Sequence, residues 1–154
     1  MNVEFRSTNL KLAGQLFLPN GAPPYPGVVI CHGIGSRKES HASFAEFITQ
    51  TARLRAFGNG FAALAFDFRG HGESEGMLDD HTLDDVIAAL DFLAARPEVD
   101  AARLAVRGSS MGGMFALHAA IRDARVRAVA AIAPANEERV ARGIESGGLL
   151  QMLA

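Results

Sequence analysis

The sequence predicts an α/β fold: a mostly parallel sheet with an antiparallel hairpin at its N-terminal edge and helices on both faces. Strand-type and helix-type segments alternate from residue 27 onward. The strand-type segments are largely apolar, as in buried parallel strands. One of them leads into a helical pattern through a glycine–serine turn at 108–112. With 154 residues, 49% hydrophobic and 21% charged, the chain suits a single domain over residues 1–154.

The N-terminal part of the chain predicts a hairpin followed by the first parallel strand. Residues 3–7 and 10–18 alternate around a turn at Thr8-Asn9, which is typical of two antiparallel strands at a sheet edge. Residues 20–26 form a loop with three prolines, which cannot join a central ladder. Residues 27–31 then form a buried strand.

The middle of the chain predicts helix, strand, polar loop and helix. A helical pattern over 43–57 is stopped by glycines at 58–60, and 61–66 is the next buried strand. The loop 67–76 is polar and rich in glycine. The following helix begins at Thr82, with an Asp variant of the capping box three residues later. Asp85 is the acidic residue of this capping box. The predicted buried stripe of the helix is Val86, Leu90 and Leu93.

The last third predicts two further strands and two helices. Residues 104–106 form a strand, and 126–133 form another. Residues 134–154 read as a helix interrupted at Gly147-Gly148. A face with 3–4 spacing predicts the helix between the two strands, and its members are Met114, Leu117, His118 and Ile121.

The turn at 108–112 has the pattern of a nucleophile elbow, in which a serine sits on a strained strand-to-helix turn. Ser110 is the central residue, between Gly108 and Gly112. These positions need glycine because the strand and helix backbones leave no room for a Cβ. Centring the motif on Ser109 would instead place Arg107 where a glycine is required.

Ligands of open parallel sheets bind at the carboxyl ends of the strands. Acyl transfer there needs a nucleophile and N–H donors for the developing oxyanion. One predicted donor is the backbone N–H of Met111, at the start of the helix after the elbow. The other comes from the loop after strand 27–31, most simply Ile34, since Gly33 and Gly35 let that backbone turn inward. The segments that meet at this edge are 32–35, 67–76 and the elbow.

Three motifs together resemble the α/β-hydrolase superfamily, in particular its serine-aminopeptidase-like and feruloyl or cinnamoyl esterase-like members. They are His-Gly-Ile-Gly at 32–35, Asp-Phe-Arg-Gly-His-Gly-Glu-Ser at 67–74 and Gly-Ser-Ser-Met-Gly-Gly at 108–113. The resemblance covers residues 3 to 140. It implies Ser110 as the nucleophile, Ile34 and Met111 as oxyanion donors, and His32, Gly33, Gly108 and Gly112 as supporting residues. It implies a mainly structural role for Arg69 and Gly70.

The chain departs from the family pattern after Ser110. The family's acid and histidine follow the serine on later strand-end loops. Here the only later histidine is His118. It lies eight residues along the same predicted helix, about 12 Å away at ~1.5 Å per residue. Only 21 residues follow Ala133, whereas a further βαβ unit needs ~30. The expectation is therefore the N-terminal two-thirds of the fold, C-terminally truncated, without its last strands, acid and base.

Two earlier histidines are alternative candidates for the base. His32 and His71 both lie near the strand ends, although bracing of their own loops is the favoured interpretation, since a base must also be oriented by a third group. Asp67 is a candidate for that group, but a salt bridge with Arg69 or a turn hydrogen bond is favoured.

Other classes of site and partner are disfavoured. The acidic stretch 79–85 is better explained by helix N-terminus chemistry than by a metal. His41 and His81 are predicted to lie at the starts of helices and to be solvated. A net charge of −2 without a basic cluster argues against nucleic acid. Cys31 is the single cysteine, and no signal peptide or membrane span is evident, so a cytoplasmic location is expected.

The resulting functional prediction is a serine hydrolase, carboxylesterase or peptidase-like, acting on a small-molecule ester or amide through an acyl-enzyme on Ser110. No metal or organic cofactor is implied, and no membrane partner. The alternative is a non-catalytic hydrolase-like module for binding or assembly, or a truncated product. Strand 126–133 is expected to form an open edge through which the chain pairs as a homodimer or aggregates, and partial coverage of this edge by the helix after Pro134 is the competing outcome.

Overall fold

The computed structural model describes residues 1–50, 60–136, 138 and 142. Its centre is a six-stranded sheet with the order β1-β2-β4-β3-β5-β6. The elements in chain order are β1 (Asn2–Ser7), β2 (Leu10–Phe17), β3 (Tyr25–Cys31), a 3-10 turn (Lys38–His41), α1 (Ala42–Gln50), β4 (Ala62–Phe66), α2 (Thr82–Ala94), β5 (Val99–Ser109), α3 (Met111–Arg122) and β6 (Val126–Ile132).

The predicted fold class is confirmed by the directions of the strands. β1 and β2 pair antiparallel, and β2 pairs antiparallel with β4. All other neighbours, from β4 through β3 and β5 to β6, are parallel. The sheet therefore has an antiparallel N-terminal pair at one edge and a parallel remainder, with the ends of β3, β4 and β5 at the same side.

The loop before β3 is shorter than predicted, because β3 begins at Tyr25 and includes Pro26. Pro26 lies opposite Asp100 of β5, and the register of the two strands shifts between Pro26 and Gly27. A proline has no N–H for the ladder and is tolerated at such irregularities.

The two faces of the sheet bury separate apolar clusters. Val29 and Cys31 of β3 contribute to the cluster under α2 and α3, whereas Val28 and Ile30 contribute to the cluster with Ala45 of α1. Helices thus cover both faces, as the apolar strands predict. The predicted stripe of α2 is confirmed, since its three members are fully buried: Val86, Leu90 and Leu93.

The helix predicted from the 3–4 spaced face is present as α3, but most of that face is not buried. Met114 is buried, but the side chains of Leu117 and Ile121 are 44% and 86% exposed. The helix instead buries small residues, among them Ala116 and Ala119. Small residues let α3 approach the sheet closely, and this turns its larger apolar residues outward.

β6 is the last strand in the sheet order and pairs only with β5 within the described ranges. Its residues are exposed or half-buried, and the side chain of Ile132 is 48% exposed. Three predicted features lie wholly or partly outside the described residues: most of the helix over 134–154, the end of the helix over 43–57, and Gly58-Asn59 of the stop that follows it. No helix in the described ranges is long and apolar enough to cross a bilayer.

Candidate active site

Ser110 occupies a one-residue turn between the last residue of β5 and the first residue of α3. Its φ and ψ are 52° and −121°, a region that non-glycine residues rarely adopt, and its side chain is exposed. Strained backbone of this kind is typical of functional turns whose surroundings hold it in place. The geometry is that of the predicted nucleophile elbow.

The two glycines of the motif lie where no Cβ fits. A Cβ on Gly108 would overlap the carbonyl oxygen of Gly112 and stand 2.7 Å from the nitrogen of Gly113. A Cβ on Gly112 would stand 2.5 Å from the carbonyl oxygen of His32. The elbow therefore depends on close backbone contact among β5, α3 and the end of β3.

Three backbone hydrogen bonds hold Ser110 in its conformation. Its N–H donates to the carbonyl oxygen of Ile132 at 3.0 Å. Its own carbonyl oxygen accepts from the N–H of Met114 at 3.1 Å and from the N–H of Ala135 at 2.9 Å. The end of β6 is thus bonded to the turn that carries the serine.

The structure places the candidate oxyanion donors on two sides of Ser110. Met111 is the first residue of α3, where backbone N–H groups have no partner within the helix. Gly33 lies across from the serine, because a Cβ on Gly33 would stand 3.3 Å from the Cβ of Ser110. Ile34 follows in a turn closed by a hydrogen bond from Ser36 N–H to Gly33 O at 3.1 Å. In that turn Gly35 has a φ of 69°.

His32 is buried and uses both ring nitrogens on backbone groups. Its Nδ1 lies 2.7 Å from the carbonyl oxygen of Gly33, and its Nε2 accepts the N–H of Phe68 at 3.1 Å. This pattern requires the neutral tautomer with the proton on Nδ1. Burial lowers the pKa of His32 to about 4. These bonds agree with loop bracing and leave no ring nitrogen for Ser110.

His71 has a similar arrangement. Its Nδ1 lies 3.2 Å from the carbonyl oxygen of Arg69, and its Nε2 accepts the N–H of Gly35 at 3.4 Å. The His71 ring lies 4.9 Å from the His32 ring. Both histidines therefore connect the loop after β3 with the loop after β4.

Of the two interactions expected for Asp67, the hydrogen bond within its own turn is present, because Glu73 N–H donates to Asp67 Oδ2 at 3.1 Å, whereas the salt bridge with Arg69 is wrong. Asp67 forms a buried ion pair with Lys38 at 2.8 Å, not with Arg69. Arg69 instead pairs with Asp85 at 2.6 Å and with Asp79 at 2.7 Å. Lys38 was not singled out by the sequence, and the only sequence signal for it is its place just after the His-Gly-Ile-Gly motif.

The predicted capping box at Thr82 is also wrong. The carboxylate of Asp85 binds the buried guanidinium of Arg69 and the Arg69 N–H. The Thr82 hydroxyl donates to the carbonyl oxygen of Asp79 at 2.7 Å. Asp85 thus anchors the loop after β4 to α2 rather than capping the helix.

The remaining histidines lie in different environments. His81 is 63% exposed, as expected. His41 is half-buried, contrary to the expectation of a solvated residue, and its Nδ1 lies 2.9 Å from Nη1 of Arg107. His118 lies two turns along α3 from the elbow. Within the described ranges no cluster of His, Cys, Asp or Glu has the arrangement of a metal site.

The family is defined by sequence as well as by fold. The model of the alpha/beta hydrolase fold family matches residues 26–149. The chain belongs to the α/β-hydrolase family. The proteins similar to it in sequence or structure include a thiohydrolase and an esterase.

Individual relatives show the extent of the similarity. The thiohydrolase aneE of Aspergillus aculeatus is 35% identical over 86% of this chain and 41% of its own length. The quorum-quenching protein AidA of Acinetobacter baumannii is 32% identical over 87% of this chain and 43% of its own length. A solved esterase of Pyrococcus furiosus superposes with a TM-score of 0.70 at 29% identity, covering 87% of this chain and 48% of the esterase. The chain thus spans less than half the length of these relatives.

Proposed function

We propose that this chain carries the nucleophile and oxyanion hole of a serine hydrolase that cleaves carboxylic esters. The observation that supports the proposal best is the exposed Ser110 at a φ of 52° between β5 and α3, within glycines that admit no Cβ. The esterase and thiohydrolase names among its relatives agree with this chemistry. The substrate is a small-molecule ester.

The proposed mechanism begins with attack of Ser110 Oγ on the ester carbonyl carbon, with loss of the hydroxyl proton to a base. The carbonyl oxygen becomes an oxyanion and accepts hydrogen bonds from the N–H groups of Met111 and Ile34. Collapse of the tetrahedral intermediate expels the alcohol, which takes the proton, and leaves an acyl-enzyme. Water then attacks the acyl carbonyl carbon and loses a proton to the base, and collapse of the second tetrahedral intermediate releases the acid while Ser110 Oγ regains a proton.

The proposal assigns the base to no described histidine. The ring nitrogens of His32 and His71 are engaged with backbone groups. His118 lies on α3, where its distance from Ser110 along the helix is about 12 Å. The 154-residue chain by itself is therefore expected to hydrolyse p-nitrophenyl esters near the background rate and to label weakly with a fluorophosphonate.

The test supplies the missing base from solution. The chain is incubated with p-nitrophenyl acetate with and without imidazole, and the acylated peptide is identified by mass spectrometry. We expect imidazole to increase acylation at Ser110, no such adduct in Ser110→Ala, and an unchanged adduct in the neighbouring control Ser109→Ala. An adduct of equal yield in Ser110→Ala, or none in the wild-type chain with imidazole, would overturn the proposal and favour a non-catalytic binding module.

A further inference from the structure

Lys38 is a buried lysine directly after the turn that carries Ile34. Only 2% of its side chain is exposed. Its backbone N–H donates to Asp67 Oδ1 at 2.7 Å, and its ammonium donates to Asp67 Oδ2 at 2.8 Å. The ammonium also contacts Glu73 at 2.6 Å and Glu39 at 2.9 Å.

The surroundings of Lys38 indicate a geometric role rather than an electrostatic one. Lysine is almost never fully buried unless it is paired. Burial disfavours its charged form, but hydrogen bonds to Asp67 and Glu73 outweigh that effect and raise the pKa of Lys38. Its charge is surrounded by three carboxylates, so it adds little positive potential for an oxyanion.

The Lys38–Asp67 pair joins the two loops at the edge of the site. Asp67 directly follows β4, and its carboxylate also accepts the N–H of Glu73 at 3.1 Å. Hydrogen bonds join the loop after β3 to the loop after β4. The one between His32 and Phe68 lies at the start of the loop after β3, and the one between Lys38 and Asp67 lies at its end. Ile34 lies between these two attachments.

We propose that Lys38, acting through Asp67, is a positioning residue that holds the Ile34 N–H in the oxyanion hole. This inference rests on the function proposed above. It predicts that loss of the pair lowers the rate of acylation without weakening ester binding to a similar extent, since the donor acts on charge that develops in the transition state.

The test compares two substrates that differ in the atom the donors stabilise. An oxoester develops charge on oxygen, whereas the matching thionoester develops it on the larger sulfur and fits the same donors poorly. In Lys38→Met/Asp67→Asn, which removes both charges together, we expect imidazole-assisted acylation of Ser110 by the oxoester to fall about tenfold or more. Acylation by the thionoester should fall much less, and the apparent KM should change little.

A second buried pair on the same loop provides the control. Arg69→Met/Asp85→Asn removes a pair that joins the loop after β4 to α2 and not to the turn of Ile34. It should lower the melting temperature but leave the ratio of oxoester to thionoester rates unchanged. Lys38→Arg, which keeps a cationic donor for Asp67, should retain most of the wild-type ratio.

Amide hydrogen exchange provides a readout that does not need activity. We expect residues 33–37 to exchange faster in Lys38→Met/Asp67→Asn than in the wild type, with β3 unaffected. An unchanged rate ratio together with unchanged exchange at 33–37 would overturn the positioning role. Absence of a Ser110 adduct in the wild type would instead count against the proposed function, and the exchange measurement would still decide whether Lys38 orders the loop. If the double variant fails to fold, Asp67→Asn alone decides: a lower ratio of oxoester to thionoester rates than in the wild type supports the proposal, and an unchanged ratio overturns it.

Discussion

A Cβ on Gly112 would stand 2.5 Å from the carbonyl oxygen of His32, so α3 and the end of β3 meet backbone to backbone. Gly112→Val is therefore expected to destabilise the fold by about 3 kcal/mol, because the contact is with backbone that cannot move aside. The corresponding fall in melting temperature is roughly 10 °C. Circular dichroism melts measure it.

Gly21→Val is the matched control for this substitution. Gly21 is exposed in the loop before β3 and should tolerate valine with little change in melting temperature. An unchanged melting temperature for Gly112→Val would show that the elbow is not packed as described.

His32 should make the stability of the chain sensitive to acid. Burial lowers its pKa to about 4 in the folded state, whereas an unfolded histidine titrates near 6.5. Between these values the unfolded chain binds more protons, so stability is fully present above pH ~6.5 and falls as the pH drops towards 4. Protonation of His32 is expected to lower the free energy of unfolding by about 3 kcal/mol over this pH range.

The measurement is urea unfolding at several pH values for the wild type and for His32→Gln. Glutamine does not titrate and retains a donor and an acceptor for Gly33 and Phe68. The variant should therefore lose less stability than the wild type between neutral pH and pH ~4. If the free energy of unfolding falls equally with pH in both proteins, the lowered pKa of His32 does not account for the acid sensitivity.

The buried Arg69–Asp85 pair should be costly to break from one side. Both side chains are at most 2% exposed, and Arg69→Met leaves the Asp85 carboxylate buried without its cation. We expect a loss of roughly 3–5 kcal/mol for Arg69→Met and a smaller loss for Arg69→Met/Asp85→Asn.

An exposed pair gives the comparison for this prediction. Asp91, 61% exposed, pairs with Arg125, and Asp91→Asn should cost no more than about 1 kcal/mol. Urea unfolding of the four proteins checks the order. Equal losses for Arg69→Met and Asp91→Asn would contradict the burial argument.

Among the described residues no strand pairs with the outer side of β6, and we expect the chain to associate through this edge. The strand contains a single charge, at Arg127, and its exposed positions include Ala128, Ala130 and Ile132. Such an edge is a template for pairing with another strand. We expect a dimer or larger species in sedimentation velocity at micromolar concentration.

Ala130→Lys should reduce this association by placing a charge on the exposed side of the edge strand. Ala101→Lys is the control and should leave the association unchanged, because Ala101 is exposed near the start of β5, outside the stretch that pairs with β6. A monomeric wild type with slow amide exchange at 128–132 would show that the edge is covered within one chain.

The features that were predictable from the sequence are those encoded locally. Continuous apolar residues at 27–31 predicted a buried parallel strand, and β3 is buried on both faces. The glycine spacing around Ser110, together with the apolar strand before it and the helical pattern after it, predicted the elbow, and a Cβ at either glycine would indeed meet backbone. The catalytic roles of Ser110, Ile34 and Met111 stay predictions.

The features that the sequence did not predict depend on contacts between distant residues. Lysine is a residue type that is usually exposed, and Asp67, the partner that allows Lys38 to be buried, lies 29 positions further along the chain. The spacing of Asp85 from Thr82 is typical of a capping box, but the Asp85 carboxylate binds the buried guanidinium of Arg69 instead of the backbone at the start of the helix. The orientation of α3 likewise follows from close backbone packing rather than from the spacing of its large apolar residues.

The hydrogen bonds that join Ser110 to Ile132 and Ala135 have an evolutionary consequence. The conformation of the serine is set jointly by β5 and by the backbone that follows β6. Substitutions that shift the backbone of the segment 132–135 are therefore expected to change the conformation of Ser110 even where the substituted side chain faces solvent. On the function proposed above, selection on Ser110 would also act on this segment, and neutral drift there should be slower than its exposure alone would suggest.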